Sequence, residues 1–551
     1  MEQLLISYYF YILLFEFTSF FIVLFSCRNW VFKIFKKISK RTWLILALVF
    51  LLGLALRING PHVYETYFDS YEYASSTQSM ARNREFYTCT LKVENACYQK
   101  NLPAHPPSSN FLYSFIMIFI GTTENDFFNS SVIVGSISIV LFFFVAFMLF
   151  KQENIALWSA FAFSLIPIHI KLSSTGMLEI GEIFYFLLAF LSILLLKEKP
   201  NRKTFLLVIF STVLLIQSRA EAVLFLFLVP FSIFLFRKEI FKKFSLKKLF
   251  YNKFDVSNID VIFILLVVLL FLPDIYYVTN VTHRYSSFGI ERGIKGFSIE
   301  NLFKNIRPDL SFYFDSRYHP ISYSILAIVG VYYVLRENLK KEYVFLFAWF
   351  LSFSLFFLLY NYGDYEYSES QHFSLISYPP LVFFAVIGIE MIIKYLKRCR
   401  IFLIFIFVLL ILSNAYFFDK TYIHAYAYAY GPAKPTTYEF INEYYFVKSF
   451  QKTLPTNSFI ITINPSIIFA NTNYSGSEAW IFLEEKDMIL NVAPVEKHNY
   501  YFFENYWCNF LSTNKNYICD ELKMNYDLQL VNESSDGLDK LYLIKFKKGM
   551  I

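Results

Sequence analysis

The acids and histidines able to do chemistry in this chain lie between long apolar runs and at their ends. The densest set occupies the polar segment Arg57 to Ser109, whose centre reads Tyr67-Phe-Asp69-Ser-Tyr-Glu72-Tyr. That segment also holds Glu85, Glu94, the close pair Cys89/Cys97 and the turn Pro103-Ala-His105-Pro-Pro107. A carboxylate at Asp69 can act as general base on an acceptor hydroxyl or bind a metal; it reads equally as a solvated loop acid. Glu72, three residues on, shares a helical face with it. His105 suits a metal or a phosphate, although a lone histidine is more often structural.

A second set is His169, Lys171, Glu179 and Glu182 in Pro167-Ile-His-Ile-Lys-Leu-Ser-Ser-Thr-Gly-Met-Leu-Glu179-Ile-Gly-Glu182. Its two acids face one side at the head of an apolar run. Favourable placement at a helix N-terminus contributes at most about 1 kcal/mol, less than burial near lipid costs, so function is the better account. Cations form a third set: Arg219 beside Glu221, Arg317 beside His319, and His372, at run ends where they can hold a phosphate. Any one of them alone reads as interfacial snorkelling. Asp69 and Glu179 are therefore the expected catalytic acids, and Glu72, His105, Arg219, Glu221, Arg317 and His372 the expected substrate-binding residues. His105 and Glu182 are the expected ligands should a divalent metal ion take part.

The elements that must position these residues are membrane spans. With 56% hydrophobic, 21% aromatic and 17% charged residues and a mean hydropathy of +0.44, the 551-residue chain is of integral membrane class. The run Leu5 to Cys27 is followed by Arg28, Lys33, Lys36, Lys37, Lys40 and Arg41, a cytoplasmic signature. It lacks a small-residue cleavage site and reads as an anchored helix with its N-terminus outside. Trp43 to Leu56 follows, placing 57–109 outside as the first outer loop. Phe111 to Gly121 is short and is expected to be a juxtamembrane helix, because the later runs then alternate with every basic loop inside. Those runs are Val132–Phe150, Ile155–Ile170, Met177–Leu196, Phe205–Ser218, Ala222–Phe236, Val261–Tyr277, Ile321–Leu335, Tyr343–Tyr362, Phe373–Ile389 and Ile401–Phe418. The Asp364/Glu366/Glu369 loop falls outside. The expected fold is thus a polytopic α-helical membrane domain, residues 1–420, of about twelve spans with both termini outside.

After a Gly/Pro-bearing linker, residues 436–551 read as a small extracytoplasmic α/β domain, with strands at Phe459–Pro465 and Leu541–Phe546 and a helix over Thr437–Leu454. It shows no nucleotide loop, zinc spacing or Ser/His/Asp set, and no nucleic-acid partner is expected. Cys89/Cys97 and Cys508/Cys519 fall outside as close pairs, while Cys27 and Cys399 are single and inside, a placement that suits disulfides. Unpaired thiols are the other reading. The sequons Asn280-Val-Thr, Asn473-Tyr-Ser and Asn532-Glu-Ser also lie on the outer side, but such triplets are common and weigh little.

The order of these pieces resembles the GT-C superfamily of polyprenyl-phosphate-sugar-dependent glycosyltransferases, especially the branch of protein O-mannosyltransferases and the lipid A aminoarabinose transferase. Leu54-Ala-Leu-Arg57-Ile-Asn and the Asp69 segment resemble that family's leucine-arginine span end and acidic loop motif. His105-Pro-Pro resembles its loop histidine, and Ile166 to Glu179 its second outer loop ending in an acid. Gln217-Ser-Arg219-Ala-Glu221 is similar to its arginine-x-glutamate turn, and Ser370-Gln-His372-Phe through Pro379-Pro to its late arginine-tyrosine segment. Two departures stand out. The family's paired Asp-Glu is Asp69-Ser70 here, which shifts a second acid's role to Glu72, and the late arginine is His372, which shifts phosphate binding toward Arg317 or Arg219. The resemblance implies inverting transfer of a sugar from a dolichyl- or undecaprenyl-phosphate donor to a protein, lipid or glycan acceptor at the outer face. Asp69 would be the base, and an Arg or His, with or without a divalent cation, would stabilise the departing lipid phosphate. An oligosaccharyltransferase-like enzyme is the nearest alternative, though the external domain has no Trp-Trp-Asp signature. A transporter would need polar groups at mid-bilayer and related halves. A non-catalytic receptor or scaffold would tolerate replacement of Asp69 and Glu179.

Overall fold

The computed structural model describes residues 2–64, 69–94, 96–237, 272–273, 275–277, 279, 296–336, 340–360, 363, 365, 371–424, 428–430, 437–505, 508 and 517–546. Most of the expected span Val261–Tyr277, the basic loop after Arg237, the sequon at Asn280, most of the acidic 364–369 loop and the Gly/Pro linker lie outside the described residues.

Apolar runs become helices where capping residues close them. Helix α1 (Glu2–Ser26) leads into the short amphipathic α2 (Arg28–Phe35) and then α3 (Lys40–Ile58), whose N-cap Ser39 accepts from the Thr42 N–H. The polar loop that follows is itself ordered: α4 (Asp69–Asn83), the hairpin β1 (Thr88–Val93) and β2 (Ala96–Asn101), and α5 (Ser108–Ile120). Thr123 and Asp126 form a capping box that starts α6 (Glu124–Phe150). Helices α7 (Glu153–Ser164) and α8 (Pro167–Ser174) then precede α9 (Glu179–Glu198), α10 (Arg202–Ile216) and α11 (Phe225–Leu235).

The run Ile155–Ile170, expected as one span, is broken and bent by 57° between α7 and α8. Pro167 has no N–H to continue α7 and instead opens α8 at its first turn. Helix α5 has 13 residues, about 20 Å at the α-helical rise, short of a hydrocarbon core on its own. Seven helices among the described residues are long and apolar enough to cross a membrane, eight if the bent pair is one span. Further on, the helices Ile321–Arg336 and Tyr378–Tyr395 touch backbone to backbone: a Cβ on Gly330 would sit 1.9 Å from the Phe384 carbonyl oxygen. Small residues permit such approach between helices in lipid.

The C-terminal region builds a mixed seven-stranded sheet in the order β2-β1-β6-β5-β7-β9-β8. Strands β3 (Tyr428–Tyr430) and β4 (Thr437–Glu439) form a separate pair, so the expected helix over 437–454 begins later, at Phe440. The large sheet takes β5 (Ser458–Thr462), β6 (Ser475–Glu478), β7 (Asn499–Glu504), β8 (Asp527–Glu533) and β9 (Lys540–Lys545) from this region. Its other two strands are the first-loop hairpin, with Leu91 opposite Ser477 and Lys92 opposite Gly476. The Glu94 N–H donates to Ser475 Oγ at 2.7 Å and extends the seam. Disulfides join Cys89 to Cys97 across the hairpin and Cys508 to Cys519 in the C-terminal region, while Cys27 and Cys399 are free.

Candidate active site

Five segments converge where the sheet meets the helices. Helix α4 supplies Asp69, Glu72 and Tyr73; the Pro103–Pro107 turn supplies His105; and the head of α9 supplies Glu179 and Glu182. The turn after α10 supplies Arg219 and Glu221, and the short 3-10 helix Gln371–Ser377 supplies His372. Proline on both sides restricts the backbone around His105. The Tyr277 hydroxyl pins the same turn by donating to the carbonyls of Pro103 and His105. Gly181 lets α9 press against α5, since a Cβ there would lie 2.5 Å from Ser109 Oγ and 3.1 Å from its Cα.

Asp69, Glu72 and His105 form one face of the cluster. His105 Nε2 lies 3.9 Å from Asp69 Oδ1 and 3.8 Å from Glu72 Oε2, and one ligand atom from each residue lies within 4.8 Å of the others. Glu72 is buried and accepts from the Ala104 N–H at 3.1 Å, whereas the Asp69 side chain is 44% exposed. Burial, with the Asp69 charge adding to it, pushes the Glu72 carboxyl up to about 8. Burial also holds the His105 imidazole down at about 4 against the pull of Asp69. A neutral imidazole with two carboxylates is a donor set that fits a divalent cation. Glu182, expected as a metal ligand, is not part of this set.

The other face is built on Arg219. Its Nη1 lies 2.8 Å from Glu179 Oε1 and donates to Tyr73 Oη at 3.2 Å, while its Nε donates to Glu221 Oε1 at 2.7 Å. His372 Nε2 is 3.3 Å from the same Glu179 oxygen. The Tyr73 ring stands edge-on to His105 with centroids 4.6 Å apart, so it links the two faces. Glu182 is buried one turn beyond Glu179, its Oε1 meeting no hydrogen-bond partner among the described residues. Of the sequence-predicted site residues Arg317 goes elsewhere: it pairs with Asp315, and its side chain is 69% exposed. His319 nearby meets Tyr378 and Ser324, His169 meets Arg57, and Lys171 lies over the Tyr422 ring.

Two members of the neighbourhood were not anticipated. Tyr73 follows Glu72 directly, but in a chain with 42 tyrosines nothing marks it. Glu478, at the end of β6, is close enough for its charge to raise Glu72, and burial pushes its own carboxyl up to about 7. Only the pairing of β6 with the first-loop hairpin brings it there, and no local pattern signals that pairing.

The fold carrying this cluster has solved counterparts. The chain superposes on ArnT from Cupriavidus metallidurans bound to undecaprenyl phosphate with a TM-score of 0.51 at 10% identity, over 92% of this chain and 98% of that one. It superposes on the Archaeoglobus fulgidus oligosaccharyltransferase tethered with an acceptor peptide with a TM-score of 0.50 at 11% identity, over 93% and 74% of the two chains. The chain shares the fold of these two proteins. At these identities the likeness speaks for the fold alone. No protein-family model and no curated protein sequence matches the chain. Within this fold, the cluster lies at the junction of helices and sheet, reached by segments spread from residue 69 to residue 372.

Proposed function

We propose that this GT-C chain is an inverting glycosyltransferase that moves a sugar from a polyprenyl-phosphate donor to an acceptor at the outer membrane face. The observation that carries the reading is the joined cluster: a half-exposed carboxylate, Asp69, on one side, and a buried Arg219 with His372 on the other. Asp69 takes the proton of the acceptor hydroxyl as its oxygen forms the new bond to the anomeric carbon. The bond from that carbon to the phosphate oxygen breaks on the opposite side, and the lipid phosphate leaves with the electron pair. Arg219 and His372 meet the phosphate, and Glu179 and Glu221 hold the guanidinium in place. Asp69, Glu72 and His105 would hold a divalent cation, which when bound supplies positive charge against the negative charge developing on the leaving group. Arg317, turned to Asp315, has no place in this scheme.

The topology that serves this reading has twelve spans with both termini outside. The eight spans already counted would be joined by α10, the helix Ala220–Leu235, the helix Ile321–Arg336 and the run Val261–Tyr277. Residues 1–420 would form the catalytic membrane domain and 436–551 the extracytoplasmic domain, resting on the 57–109 loop. ArnT bound to undecaprenyl phosphate supports a lipid-linked donor. The tethered peptide of the archaeal oligosaccharyltransferase supports a second reading, transfer of an oligosaccharide to peptide.

Purified protein incubated with a panel of polyprenyl-phosphate monosaccharides and a membrane extract, followed by mass spectrometry, tests the proposal. Sugar release with an inverted anomeric product supports it. Transfer only from oligosaccharide donors to peptide favours the second reading, and saturable external-ligand binding without turnover favours a receptor.

A further inference from the structure

At the opposite ends of α9 and α10 from the catalytic cluster, the last residues of α1 and α9 and the first of α10 surround a cavity of about 420 Å³. It is lined by Ser26, Asn29, Trp30, Lys199, Arg202 and Lys203 among others, and among the described residues no carboxylate contributes to its wall. Two acids near it have lysines outside its wall as partners: Glu198 pairs with Lys151 at 2.5 Å, and Glu342 with Lys197 at 2.6 Å. Lys199 lies over the Trp30 ring at 5.6 Å, and Lys203 Nζ reaches the Ser26 carbonyl at 3.5 Å. Neither lysine has a carboxylate partner among the described residues.

The surroundings belong to a membrane boundary. Helix α2 has no fully buried residue; it turns Phe32 outward and carries Arg28, Asn29 and Lys33, the composition of a helix lying in the interface. Trp30 is the aromatic type enriched at that depth. The apolar flanks of α1 and α10 descend from the cavity, and the topology proposed above puts it on the cytoplasmic side. Concentrated positive charge, a volume in the range of ligand sites and the exposed apolar Ile22, Phe25 and Phe205 beside it complement one occupant.

We propose that this cavity seats the phosphate headgroup of an anionic phospholipid, with Lys199 and Lys203 at the phosphate and Trp30 against the glycerol. The full chain, reconstituted in nanodiscs of phosphatidylcholine alone or with phosphatidylglycerol, is the test. Its readouts are the lipid retained after detergent extraction and the quenching of tryptophan fluorescence by brominated phosphatidylglycerol. Wild type is expected to retain phosphatidylglycerol selectively, and Lys199→Gln and Lys203→Gln each to weaken retention about fivefold, the effect of one basic residue at an anionic surface. Lys33→Gln, which removes a charge from α2 outside the cavity, should retain lipid as wild type does, and unchanged melting in phosphatidylcholine shows each variant folded. Equal retention of both lipids, or loss in Lys33→Gln equal to that in the cavity variants, overturns the proposal. Competition by millimolar inorganic phosphate that fully displaces the lipid would reassign the cavity to a free phosphate.

Discussion

Arg219 shows what one residue does in this site. Its guanidinium is shared by Glu179, Glu221 and Tyr73, all buried, and removing it would leave two carboxylates facing one another without a cation. Breaking a buried pair from one side costs roughly 3–5 kcal/mol. Arg219→Gln should therefore lower the melting midpoint in detergent by several degrees and abolish donor binding. Arg317→Gln, at a largely exposed pair, should move neither, because surface ion pairs contribute little. Differential scanning fluorimetry with a donor titration separates the two. At this scale the sequence was informative. Intramembrane-edge charges are expensive, and Glu179, Arg219, Glu221 and His372 were each legible for that reason before any contact was known. Glu72 was also legible, as the acid one turn from Asp69. Arg317 was not distinguishable from the others, since the nearby Asp315 that engages it leaves no mark on hydropathy.

Among the elements, the turn between residues 312 and 321 offers a test independent of catalysis. His319 is buried there, with Nδ1 2.8 Å from Tyr378 Oη and Nε2 2.9 Å from Ser324 Oγ. Ser324 donates its own proton to the Tyr313 carbonyl, so Nε2 carries the imidazole proton and Tyr378 donates to Nδ1. Burial holds this histidine down at about 3, against 6.5 when unperturbed. Its contribution to stability is therefore complete above about pH 6.5 and is lost as pH falls toward the folded value, because the unfolded chain takes up the proton first. Thermal melts of wild type should fall between pH 7 and 5, and His319→Gln should show a shallower fall over that range. Equal slopes would mean that other groups dominate acid sensitivity. The helices themselves were readable from apolar runs and basic flanks. The break at Pro167 was not, because a proline one residue into a helix and one interrupting a span look alike in a window of hydropathy.

The whole molecule is tied together by pairing that no local pattern announces. Residues 88–101 and 458–545 share one sheet, and Leu91, fully buried, belongs to the same apolar cluster as Phe459, Ile461 and Phe502. Lys448 reaches across to Glu124 at the start of α6. Truncation before residue 436 should therefore expose the hairpin edge and yield aggregated protein on size exclusion; a monodisperse, active truncation would show that the membrane portion stands alone. Of the C-terminal sheet strands, β5 and β9 were legible as short apolar runs, and β6, β7 and β8 were not. Their union with the first loop was not, since contacts separated by hundreds of residues leave no periodic trace. The same union brings Glu478 toward Glu72 and makes the C-terminal region part of the site's electrostatics. The most direct test of the account is single-turnover sugar transfer by wild type and Asp69→Asn from a donor that wild type uses, with donor binding measured on both. The account predicts a fall in rate of about a hundredfold or more, the usual scale of lost acid–base help, with donor affinity unchanged. An unaltered rate in the folded variant would contradict it.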